Sequence, residues 1–223
     1  MINLLIPLTA TILFTIIAVA DFLSNKVLFP DTEVENLPPK EIIDEELMTD
    51  VDRAMAEKSI VVLKNNLGEN PIDELLSMNV NDRINAVGNI ADELSRLYCL
   101  SIKCLKFTPF LDNSVSGQYI KNTETIQINI NYLRVNDREI LFDLLLTLFH
   151  EMRHAVQWSM IQGNPVWEAD DKRRQMLAAN FAHYISAKKD VHGYRMQLVE
   201  RDAVTFAAII MAGVEPNETD SVL

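Results

Sequence analysis

The chain of 223 residues predicts an α+β fold, mainly helical, with a small sheet beside one long helix. Three observations carry this. Apolar residues recur at helical spacing through most of the sequence. One stretch, Thr125 to Ile130, alternates as a strand does. Gly and Pro are sparse, at 6 and 8, which disfavours collagen-like or linker-dominated architectures. A hydrophobic fraction of 48% rules out wholesale disorder. The formal net charge of -12 repels phosphate backbones, so no nucleic-acid partner is expected. The 2 Cys are too few for a disulfide scaffold or a four-cysteine zinc site.

The chain opens MINLLIPLTATILFTIIAVA, with no charged side chain before Asp21. About 19 such residues suffice to cross a hydrocarbon core, so residues 1–28 read as a transmembrane anchor or signal segment. Ala18-Val19-Ala20 has the small-x-small form of a cleavage site, whereas the lack of Lys or Arg before the apolar run disfavours cleavage. A core helix apolar all round at a terminus is the third reading. The expectation is a single-pass membrane protein, with secretion after cleavage as the alternative. The side of the membrane stays open, since Lys26 is the only basic residue near either end.

Residues 29–69 read as an acidic linker, PDTEVENLPPK, and an amphipathic helix over 41–64. A folded unit over 70–215 and a polar tail over 216–223 follow. Asn70-Pro71 starts a short helix. Residues 81–99 form a third, with Ile84, Val87, Ala91, Leu94 and Leu97 on one face. SIKCLKFTPF reads as a strand, and GQYIKNTETIQINI as two strands around a turn at Asn122-Thr123. In the last, Ile126, Ile128 and Ile130 share one face and Gln127 and Asn129 the other. Cys99 and Cys104 read as semi-buried free thiols. A long helix runs from Asp137 to about Met160 and breaks at Gly163-Asn164-Pro165. Another runs from about Glu168 to Ser186, and the last from near Tyr194 to Ala212, ending at Gly213.

Inside the long helix stands His150-Glu151-Met152-Arg153-His154. Histidines at i and i+4 lie one turn apart on one face, so both imidazoles reach one tetrahedral metal ion. A glutamate after the first histidine falls beside the open coordination position, where it takes a proton from metal-bound water. Two of only 4 His sit in this pattern. A catalytic site wants a third protein ligand. A third histidine close behind the motif is excluded, because Gln157 and Met160 fill those places. The remaining candidates are His183, His192, Glu168, Asp170, Asp171, Glu200 and Asp202. Glu200 adjoins an apolar helical stripe of Met196, Val199, Ala203, Phe206 and Ala207, where a carboxylate needs a partner. Arg153 points away from the metal, to the surface or to a carboxylate.

His150-Glu151-x-x-His154, followed by Tyr194-x-x-Gln197-x-x-Glu200-x-Asp202-Ala203, resembles the small zincin-like metallopeptidase domains of bacteria and their phages. Gly117-x-Tyr119 and Thr125-Ile126-x-Ile128-Asn129 resemble the strand bordering the zincin cleft. The likeness spans about residues 80 to 212 and departs at Leu198, where many relatives have proline. The strict Asn-Glu-x-x-Ser-Asp helix of the large thermolysin-like enzymes is lacking. The resemblance implies a zincin-like domain of gluzincin type. It implies His150, His154 and Glu200 as ligands of Zn2+, Glu151 as general base and Asp202 behind the ligands. Tyr194 would approach the cleft as a catalytic residue; His192 and His183 are the other candidates for the oxyanion. The partners implied are a peptide or protein substrate, held by edge pairing, and the membrane. The alternative is an inactive zincin-fold binding or regulatory domain.

Overall fold

Thr49, not the proline pair upstream, sets the start of the first long helix. Its side chain accepts from the Asp52 N–H while Asp52 accepts from the Thr49 N–H, closing a capping box that begins α1 (Asp50–Leu67). Residues Glu45–Leu47 before it form one 3-10 turn, so the helix expected over 41–64 begins later than periodicity suggests. The structure, a computed structural model, describes residues 44–102, 104–112, 115–167 and 169–214. The anchor or signal reading of 1–28, the proline-acidic linker, Glu168 and the tail lie outside these. Among the described residues no helix is long and apolar enough to cross a membrane.

The helix expected ahead of the folded unit belongs to its core. Met55, Ala56, Leu63 and Leu67 of α1 join one apolar cluster with residues from most of the later helices, and Ser59 Oγ lies 2.5 Å from the buried Tyr98 hydroxyl. A boundary at residue 70 would therefore cut through packed side chains. Next come α2 (Pro71–Ser77) and α3 (Val80–Leu97), the latter capped by Asn79. Buried Arg83 ties them to the middle of the chain by donating to the carbonyls of Leu75, Leu133 and Val135.

Three strands form the sheet: β1 (Cys104–Thr108), β2 (Gly117–Ile120) and β3 (Thr125–Asn129), in the order β1-β3-β2. β3 pairs parallel with β1 and antiparallel with β2. Ile126 and Ile128 are fully buried, as their alternation predicts. The strand stops one residue early, because the Asn129 side chain caps α4 (Ile130–Arg134) by accepting from the Asn131 N–H. Ile130 is thus the first residue of a helix rather than part of a strand face. Cys99 is a free, exposed thiol.

α5 (Arg138–Ile161), capped by Asp137, is buried almost continuously from Leu141 to Gln157 and lies across the sheet. α6 (Asp171–Ala182) ends at His183, before the expected Ser186. The expected helix from Tyr194 to Ala212 is two, α7 (Val191–Met196) and α8 (Leu198–Ala212). Gln197 adopts extended backbone between them, and its side chain both accepts from the Ile185 N–H and donates to the Ile185 carbonyl at 2.8 Å. α8 packs along α5, which brings its first turn to the histidine face.

Candidate metal centre

One turn of α5 separates His150 from His154, and their Nε2 atoms lie 3.0 Å apart. Glu200, in the first turn of α8, meets both: Oε2 is 3.2 Å from His150 Nε2 and Oε1 is 3.4 Å from His154 Nε2. A tetrahedral zinc with bonds of about 2.0–2.1 Å sets its donors roughly 3.3 Å apart. The two ring nitrogens and the carboxylate oxygen nearest each of them stand at about that spacing. Hydrogen bonding alone leaves this cluster incomplete, since His150 Nδ1 and Glu200 Oε2 are buried without a hydrogen-bond partner. This buried group could hold a metal ion.

The surroundings orient the ligands. His154 Nδ1 donates to Gln157 Oε1 at 2.9 Å, which turns Nε2 toward the centre. Gln157 is itself fixed, because its amide donates to the Val199 carbonyl and to Asp202 Oδ2. Burial disfavours charge on His154, but Glu200 outweighs it and pushes the imidazole up to about 9. Burial likewise opposes charge on Glu200, yet His154 and His150 hold it well below the usual carboxylate range. A metal taking this site displaces the His154 proton.

Behind Gln157 lies a charge network that runs to α1. Arg153, fully buried, donates through Nε and Nη2 to Asp202 at 2.7 and 2.9 Å and through Nη1 to Asp52 at 2.8 Å. Arg173 bridges the same two carboxylates at 3.0 Å each. Two guanidiniums balance two carboxylates, so the buried cluster is neutral. The Arg153 guanidinium also stacks 4.7 Å from the Phe206 ring centroid and 5.3 Å from that of Trp167. It is carboxylate-paired, as expected, but in the core rather than at the surface.

The other side of the centre opens into a cleft of about 400 Å³ between β2 and the loop after α6. Glu151 lines it, 7% exposed. Burial raises its carboxyl, with His150 and His154 pulling the other way, and the Tyr119 N–H of β2 donates to it. Gly117 permits that approach: a Cβ there would lie 2.6 Å from Thr147 Cγ2 and 3.2 Å from Glu151 Cγ. Tyr194 lines the cleft as expected. Tyr184 joins it and donates to Glu200 Oε1 at 2.7 Å. Burial and the Glu200 charge push both phenols up, so they stay neutral donors. The sequence holds one cue to Tyr184, its place beside the end of a helical run, and that end falls earlier than periodicity suggests.

The alternative ligands separate cleanly. His183 caps the exposed end of α6, and His192 is exposed on α7; neither lines the cleft. Asp170 caps α6, Asp171 pairs with Arg174, and Asp202 is held by the two arginines. Only Glu200 among the described acidic candidates reaches both histidines. No protein-family model, curated protein or solved structure matches the chain.

Proposed function

We propose that this chain is a zinc-dependent metallopeptidase, an endopeptidase with a zincin-like catalytic domain. The observation that carries the reading is a fourth group. Glu151 is a carboxylate that is not one of the three clustered donors, is buried beside them and faces an open cleft. A metal held only for structure has no use for such a base.

His150, His154 and Glu200 would hold the ion, leaving the cleft side open. Zinc, when bound, supplies a Lewis acid for the peptide carbonyl and lowers the pKa of water toward about 7. Glu151 accepts a proton from the attacking water and delivers it to the leaving amine; its burial brings its basicity toward the working pH. Tyr194 and Tyr184, both neutral, are the donors in reach of charge developing on the carbonyl oxygen. β2 is an edge strand along the cleft, and its outer edge, beside the Tyr119 N–H that Glu151 takes, suits backbone pairing with an extended peptide.

Metal analysis of the purified chain, with cleavage of a diverse peptide library, tests the reading. One zinc per chain is expected. Glu151→Gln is expected to keep the zinc and lose cleavage by about 10²- to 10⁴-fold. Stoichiometric zinc without cleavage of any peptide would refute the peptidase assignment.

A further inference from the structure

We infer that Lys121 makes this cleft selective for a carboxylate, carried by an acidic side chain or by a free peptide C-terminus, next to the metal centre. The inference rests on the peptidase reading and adds a substrate class to it. Lys121 directly follows β2 and lines the same cleft as His150, Glu151 and His154. Its ammonium lies 5.4 Å from the Trp158 ring centroid and 5.7 Å from that of Phe181. Aromatic faces hold a cation in place but do not cancel its charge. The Phe181 carbonyl, at 3.5 Å, is too distant for a strong hydrogen bond.

Other lysines have carboxylate partners: Lys64 pairs with Glu69 and Lys188 with Asp112. No carboxylate among the described residues forms an ion pair with Lys121. Glu124, on the same hairpin, lines the neighbouring cavity instead. Lys121 is thus a cation in the cleft wall with no carboxylate of the described residues paired to it, in a chain whose formal net charge is -12. Its complement is an anion on the bound ligand.

The spacing suits a peptide. The Phe181 ring lies near both features, 6.3 Å from the His154 ring and 5.7 Å from the ammonium. Both steps end to end are shorter than four extended residues at about 3.3 Å each. A ligand held at the metal therefore brings a carboxylate to Lys121 within a few residues of the scissile bond.

The test measures peptide binding to the zinc-loaded full chain carrying Glu151→Gln, with cleavage by the wild type in parallel. Three peptides of one length are compared: an acidic residue with an amidated end, a neutral sequence with a free C-terminus, and a neutral amidated sequence. We expect at least one carboxylate peptide to bind about five-fold more tightly than the neutral amide. The arm that gains tells side chain from terminus. Lys121→Gln is expected to erase the difference, Lys121→Arg to keep it and Lys121→Glu to invert it. A purely structural role for the lysine would weaken all three peptides alike. Equal binding of the three, or a preference that survives Lys121→Gln, would overturn the inference and leave the peptidase reading intact. A Lys121-dependent preference with no cleavage by the wild type would instead sink the peptidase reading and keep the anion subsite. Absence of any peptide binding would remove both.

Discussion

Asp52→Ala should be among the most destabilising single changes in this protein, although it lies on α1, about 100 residues ahead of His150 in sequence. The carboxylate is fully buried and accepts four contacts. These come from Arg153 at 2.8 Å, Arg173 at 3.0 Å, the Thr49 N–H at 2.9 Å and the Thr49 hydroxyl at 2.8 Å. Burial by itself would raise its pKa, but the two arginines overcome this and hold it at about 2. Against an ordinary 3.8, that is worth about 2 kcal/mol of stability at neutral pH. Truncation also leaves the buried Arg153 short of a counter-charge and removes the Thr49 capping box. Together these predict a loss of about 3–5 kcal/mol. Urea unfolding of wild type and variant, with a chelator present in both, gives the difference directly. The exposed Arg138–Asp73 pair is the control, and Asp73→Ala should cost no more than about 1 kcal/mol. The sign of the pH dependence is fixed as well. A depressed carboxyl stabilises above its unfolded pKa, so the Asp52 contribution is present above about pH 4 and disappears as pH falls through about 2. Should Asp52→Ala cost no more than Asp73→Ala, the network does not hold α1 in place as described.

Two further outcomes are expected. Zinc uptake should release a proton from His154, whose imidazole stands at about 9 in contact with Glu200. Affinity should then rise about tenfold per pH unit up to that value, and chelator competition between pH 6 and 8.5 checks this; a flat profile would contradict it. Asp143 on α5 is fully buried with both oxygens lacking hydrogen-bond partners, and burial pushes its carboxyl up to about 8. The folded state holds a proton that the unfolded chain loses near pH 4, so stability should fall by about 1.4 kcal/mol per pH unit between those values. Asp143→Asn should remove this slope in unfolding measurements from pH 5 to 8; parallel curves for wild type and variant would count against it.

The elements that local spacing determines were legible in the sequence. His150 and His154 share a face because four residues make one helical turn, and Ile126 and Ile128 share one because strand side chains alternate. Glu200 could be singled out because an apolar stripe beside a carboxylate implies a buried partner. Tertiary structure alone decided what depends on distant segments meeting. The parallel pairing of β1 with β3, the break at Gln197 that sets Tyr194 on its own short helix, and the arrival of Tyr184 beside Glu200 have no local period to announce them. The same holds for α1, whose amphipathic spacing is legible while the residues that it packs against are not. Its Asp52 is the counter-charge of the arginine that lies between His150 and His154. Periodicity reports which side of an element is apolar; only packing reports what that side touches, and here it joins α1 to the candidate metal centre through Arg153, Asp202 and Gln157.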